Sequence, residues 1–284
     1  GGFFPPMVGG IRFEHTHRAA AATVGLLTLM LTIWIGVTER ERKIRWLAIA
    51  CLGAVVLQGI LGGLTVLFQL PTPLSVAHAC LGPIFFCGVV ALAVLTSPEG
   101  RAIPSLRGSA NVLWRRRSNP ETEIASPRRI SFTGLAMTTT GFVFLQILLG
   151  ATVRHTGGGV WLHIAWAFVV FLQVGFLVTR ALNDFPDQQK ILRPALFLGL
   201  LVTLEFFLGI AAFALTRFEG IPAGLGQIIF PTLHQALGAL ILALSVVLTL
   251  GLSFIEEPSL RGCRLADEAI PKQRLLRPAR RVSQ

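Results

Sequence analysis

Seven long stretches of the chain are almost wholly apolar: 17–37, 46–68, 75–96, 131–153, 160–180, 194–216 and 229–252. Each is close to the ~20 residues an α-helix needs to cross the hydrocarbon core of a bilayer. The segments between them hold the charged residues and most of the prolines. The pattern predicts an all-α polytopic membrane protein with seven spans.

Charge sets the direction of the spans. All but four of the 25 Lys and Arg residues fall in one alternate set of segments: TERERKIR, the long linker at 97–130, RALNDFPDQQKILR and the C-terminal tail. The other set holds only Arg12, Arg18, Arg154 and Arg217. Cytoplasmic loops carry the excess of Lys and Arg. The C-terminus is therefore expected inside and residues 1–16 outside. A net charge of +11 would suggest nucleic acid for a soluble protein. Here topology and the lipid surface account for it, so no nucleic-acid partner is expected.

Composition agrees. Hydrophobic residues make up 53% and charged residues 14%, with mean hydropathy +0.68, where soluble domains carry about 25% charged residues. There is no Tyr, so Trp and Phe must supply any interfacial aromatic belt. Cys51, Cys80 and Cys87 lie in apolar runs and Cys263 in the basic tail. None forms a CxxC pair, and they are read as small apolar residues or free thiols.

An internal repeat divides the chain. Gln58-Gly-Ile-Leu-Gly62, Gln146-Ile-Leu-Leu-Gly150 and Glu205-Phe-Phe-Leu-Gly209 share one pattern, [QE]-x-x-L-G. All three lie on spans running from inside to outside. The span after each has a His near its outer end: His78, His163 and His234. His17 opens the first span in the same way. The second half is thus a unit of four helices, and the first half shows three. The expected organisation is an N-terminal bundle at 1–96, an inner basic linker at 97–130, a C-terminal four-helix bundle at 131–255 and a basic inner tail at 256–284. The opening GGFFPPMVGG reads as the middle of a loop. It predicts an eighth, N-terminal helix upstream, so that two pseudo-symmetric four-helix bundles would have seven of their eight helices in this chain.

Four histidines at one depth, in two symmetry-related pairs, need a reason. A lone intramembrane His is as well explained by a hydrogen bond to a neighbouring helix. Paired His across a bundle is how membrane cytochromes hold haem iron from both sides. The residue four places after each His is small: Ala21, Gly82, Ala167 and Gly238. It shares the face of the His, and a flat macrocycle would need that space. Small residues also serve plain helix packing in membranes, but all four together favour haem. Zinc suits the spacing less, because it wants three or four converging ligands.

Glu14, three residues before His17, shares its face on a helix. Two readings stand: a base or proton acceptor beside the haem edge, or an acid favoured by the helix dipole. Arg18 and Arg154 could pair with haem propionates or snorkel to the interface. Glu205 is read as an interhelical hydrogen-bonding group, like Gln58 and Gln146. Asn183, Asp184 and Asp187 are read as solvated, and His15 and His155 have no assigned role.

Taken together, Glu14-x-x-His17-Arg18, Leu61-Gly62-Gly63-Leu64-Thr65-Val66 and the later His78, His163 and His234 resemble the haem A synthase family. The resemblance spans about residues 1–252. It implies an oxidoreductase of eight helices in two bundles, in a bacterial cell membrane with its C-terminus cytoplasmic. One bundle would hold haem b. The other would take haem O as substrate and oxidise its C8 methyl to a formyl, giving haem A for terminal oxidases. By the same resemblance His17 and His78 bind the substrate haem, Glu14 is the catalytic acid, and His163 and His234 are the axial ligands of haem b. Arg18 joins the haem-binding residues. Implied partners are haem O, a haem O synthase (farnesyltransferase), an electron acceptor and membrane lipid, with room for self-association. The Cys pair that some members carry in outer loops has no counterpart in RHTGGGV. On chemical grounds, electron removal from the macrocycle would leave a carbocation onto which a carboxylate steers water. Two rounds would give the aldehyde. Two other functions remain open: a di-haem cytochrome moving electrons between quinol and an acceptor, and a non-catalytic haem carrier or oxidase assembly factor.

Overall fold

The computed structural model describes residues 9–101, 131–218 and 224–268. It contains seven long helices: α1 (Gly9–Thr38), α2 (Arg42–Leu67), α3 (Thr72–Thr96), α4 (Phe132–Thr156), α5 (Val160–Asp184), α6 (Gln189–Arg217) and α7 (Gly226–Glu268). A single helical turn, Pro98–Arg101, follows α3. No strand occurs among the described residues. All seven long helices are apolar and long enough to cross a membrane. The chain is a polytopic, all-helical membrane protein, as the hydrophobic pattern predicts. Large side chains such as Trp34, Trp161 and Leu172 point outward, as expected where lipid is the solvent.

Several helices outrun their apolar stretches. α1 starts at Gly9, so Glu14, His15, His17 and Arg18 are all helical. α7 continues to Glu268, into the segment expected as a tail. Once a helix is nucleated, each added residue gains a backbone bond at little further cost, so hydropathy does not mark the end. The rest of the expected tail and nearly all of the inner linker lie outside the described residues.

Turn chemistry sets the ends that are sharp. Ser131 Oγ accepts a 3.0 Å bond from the Gly134 N–H and caps α4. α4 ends at Gly157 (φ 72°), and Gly159 (φ 75°) leads into α5. Both need the left-handed region, which glycine enters without a Cβ penalty. The α2–α3 turn makes the same demand of Gln69 (φ 56°) and Leu70 (φ 62°).

α4 packs on α5, α5 on α6, α6 on α7, and α7 back on α4, which closes a ring of four. In the first unit α1 packs on α2 and α2 on α3, and α3 joins the second unit through α4 and α7. Among the described residues no comparable packing closes α1 onto α3. Between their ends lies a cleft of about 310 Å³, lined by Leu31, Trp34 and Ile35 of α1 and Val89, Leu92 and Ala93 of α3. By the repeat, α1 matches α5 and α3 matches α7, and α4 fills the equivalent place in the second unit.

The core is unevenly placed along the helix axes. In the second unit it joins Leu135 and Val143 of α4, Leu177 and Ala181 of α5, Leu198 of α6 and Leu248 of α7. All of these lie toward the ends joined to the Lys- and Arg-rich segments, here termed the basic end. The smaller first-unit core, Ile35, Ile44, Ala48, Cys51 and Leu92, lies at the basic end as well. Polar links across helices sit there too: Gln173 Nε2 donates to Thr138 Oγ1 (3.0 Å), and Thr140 and Thr249 hydroxyls are 3.2 Å apart. Cys51 and Cys80 are buried and, with Cys87, unpaired. The opposite end of each unit carries the histidines.

Candidate functional site

One local arrangement recurs at three helix pairs. Between α2 and α3, Gln58 Nε2 donates to the His78 carbonyl (2.9 Å), and His78 Nδ1 lies 3.2 Å from the Gln58 carbonyl oxygen. Between α4 and α5, Gln146 Nε2 donates to the His163 carbonyl (3.2 Å) and lies 3.4 Å from His163 Nε2. Between α6 and α7, Glu205 Oε1 lies 3.0 Å from His234 Nδ1. The first residue of each [QE]-x-x-L-G motif therefore backs the histidine of the next helix.

The glycine of the motif has its own task. A Cβ on Gly62 would stand 3.1 Å from His78 Cε1; on Gly150 or Gly209 it would stand 3.0 Å from Cε1 of His163 or His234. Each ring lies where a side chain would otherwise be. The relation is reciprocal. A Cβ on Gly82 would meet Gln58 Nε2 at 3.5 Å, and one on Gly238 would meet Glu205 Oε1 at 3.1 Å. The histidine covers a glycine on one helix, and the Gln or Glu covers a small residue on the other. This differs from the sequence reading, which gave the space beside Gly82 and Gly238 to a flat ligand. The polar side chain behind the histidine occupies it. The glycines at 62, 150 and 209 were missed as ring contacts, although the spacing Gln/Glu-to-Gly of four residues matches the spacing His-to-Gly on the partner helix.

The histidines meet as two pairs. His17 of α1 and His78 of α3 have ring centres 6.4 Å apart with planes at 79°. His163 of α5 and His234 of α7 are 6.2 Å apart at 87°. Each pair spans helices that are not sequence neighbours. Two axial nitrogen–metal bonds of about 2 Å each, plus the ring radii, would separate the ring centres by about 6 Å. The spacing of both pairs fits two imidazoles on opposite sides of one iron. Among the described residues no group of three or more His, Cys, Asp or Glu converges as an ion cage. Four buried polar atoms around the rings have no hydrogen-bond partner: Gln58 Oε1, Gln146 Oε1, Glu205 Oε2 and His163 Nδ1, and His234 Nδ1 meets only Glu205 Oε1, at 3.0 Å. Such atoms are rare in folded proteins, and here they gather at the candidate ligands. The donor set thus fits haem at both pairs.

The remaining candidates sit around these pairs. Glu14 Oε1 and Arg18 Nη2 form a 2.6 Å ion pair across one turn of α1, with side chains 56% and 62% exposed. Arg18 is thus engaged by Glu14, one turn from His17. Arg154 Nη1 donates to Gln235 Oε1 (3.1 Å), tying α4 to α7. Arg217 Nη2 donates to the Gly157 carbonyl (2.9 Å). His155 lies in the last turn of α4, beside the glycine turn, and His15 is half-buried on α1. Asp184, read from sequence as merely solvated, accepts from Arg180 Nε at 2.6 Å.

Comparison with known proteins gives this geometry a context. The family described as COX15-CtaA, cytochrome oxidase assembly protein, matches residues 11–162. The match holds Glu14, His17 and His78 and stops one residue before His163. A protein named heme A synthase from Bacillus pumilus is 22% identical over 239 residues, covering 74% of this chain and 71% of its own length. A second of that name, from Symbiobacterium thermophilum, is 29% identical over 158 residues, covering 55% and 47%. A third, from Shouchella clausii, is 24% identical over 144 residues, covering 50% and 42%. With the family matched over more than half its length, from α1 to the start of α5, this chain belongs to the COX15-CtaA cytochrome oxidase assembly proteins.

Proposed function

We propose that this chain is a haem A synthase, which oxidises the C8 methyl of haem O to a formyl group. The observation that carries this reading is the repeated pair of facing histidines, 6.4 Å and 6.2 Å apart. The names of its relatives point the same way. The first unit takes the substrate: His17 and His78 hold haem O between α1 and α3. The second holds haem b through His163 and His234, and bound there haem b supplies one-electron transfer. The basic ends of the helices face the cytoplasm, which puts both sites toward the outer side of the membrane.

The two units differ where chemistry needs them to. Only His17 has a carboxylate one turn before it. Glu14 accepts protons lost from the methyl carbon and orients the water that supplies the oxygen. Arg18, at 2.6 Å, fixes the direction of the Glu14 carboxylate. Gln58 and Gly62 hold the His78 ring against α2, so the substrate has a fixed plane relative to Glu14. The electrons pass to an acceptor of the membrane, and the product is handed on to a terminal oxidase.

The test is pigment analysis of membranes expressing the full protein with haem O supplied. The expected product is the formyl haem, identified by mass. Glu14→Gln should keep both haems bound and slow conversion by about 100-fold or more, the usual scale for a positioned acid or base. Unaltered haem O in the wild type would support a carrier or an electron-transfer cytochrome instead.

A further inference from the structure

The three polar residues that back the histidines are not equivalent. Gln58 and Gln146 present amides, and both donate Nε2–H to a carbonyl of the partner helix. Glu205 has no amide N–H to offer in that role. Its Oε1 instead approaches the ring itself, 3.0 Å from His234 Nδ1. The site is enclosed, with side chains 18% exposed for Glu205 and 27% for His234. Oε1 is also held close to the α7 backbone, since a Cβ on Gly238 would stand 3.1 Å away. Neither His234 Nδ1 nor Glu205 Oε2 has another partner. One histidine of the second pair therefore faces a carboxylate, and the corresponding histidine of the first pair, His78, faces a backbone carbonyl.

We propose that Glu205 is a positioning residue that directs Nε2 of His234 to the iron and lowers the reduction potential of the second-unit haem. The inference rests on the reading of His163 and His234 as axial ligands. A hydrogen bond from the ring nitrogen that does not ligate fixes the tautomer and raises the basicity of the ligand. A carboxylate acceptor makes that bond roughly twice as strong as a neutral one. The more electron-rich imidazole favours the ferric over the ferrous state, which holds one more electron. His78, backed by a peptide carbonyl, exerts a weaker pull. The two units, built on one repeat, are thereby set at different potentials by one residue.

The experiment is a redox titration of the purified full protein with its haems bound, followed by absorbance. His234→Ala first identifies the second-unit haem by the spectrum it removes; if that variant keeps every haem, the axial reading itself fails, whatever Glu205 does. Glu205→Gln should retain the haem and raise its potential by about tenfold in the reduction equilibrium, about 59 mV for one electron. An unchanged potential with haem bound would overturn the proposal. If Glu205→Gln loses its haem, the reciprocal Gln146→Glu decides. It sets a carboxylate behind His163, and the potential should fall. No shift in that variant overturns the proposal as well.

Discussion

Gly62 has no side chain because His78 takes its place. The contact is at the Cε1 edge, 3.1 Å from where a Cβ would stand, so a branched side chain there must push the ring off α2. Gly62→Val is expected to weaken haem binding in the first unit by about tenfold or more, matching the ~1–3 kcal/mol cost of overpacking. The second-unit haem should be unaffected, and difference spectra of the purified variant separate the two. The polar residue types and their spacing along each helix were legible in the sequence, including the motif in which Gly62 sits. Its partner was not, because nothing along one helix says which ring presses on it from the next. The small residues after each histidine were visible for the same reason, and Gly82 and Gly238 were given to the wrong neighbour. Only when α2 meets α3, and α6 meets α7, do Gln58 and Glu205 fall over them. The Glu14–Arg18 pair is the opposite case: a four-residue spacing on one helix sufficed to bring them together, though the sequence reading weighed each only against the haem, the helix dipole or the interface.

Helix by helix, hydropathy located every span, because twenty apolar residues in a row have few other uses. It did not locate their ends. α1 begins at Gly9 and α7 runs to Glu268, since helix ends answer to caps and turns and not to apolar content. The α4–α5 connection shows what a firm end requires. Gly157 and Gly159 both adopt positive φ within a three-glycine turn, and this turn sets the height of His163 against α4. Gly157→Ala should lower stability by about 1 kcal/mol, the cost of placing a Cβ in the left-handed region. Thermal unfolding in detergent, monitored by helical circular dichroism, measures it. The α2–α3 turn already bears such strain at Gln69 and Leu70.

For the whole molecule, the division into two units was legible from the repeat, but the uneven packing was not. Hydropathy is alike along each span, whereas buried residues concentrate at the basic end. Leu177 is 0% exposed and Leu172, five residues earlier on the same helix, is 70% exposed. Leu177→Ala should cost about 2–3 kcal/mol through the cavity it leaves, and Leu172→Ala close to nothing, since lipid tails are as apolar as leucine. Equal losses in a detergent unfolding assay would contradict this assignment of the buried and lipid-facing sides of α5. The arrangement works like a pair of tongs whose joint is at one end and whose grips are at the other. A haem held between the histidines would thus touch the lightly packed halves of these helices, while the halves that hold the chain together lie at the other end.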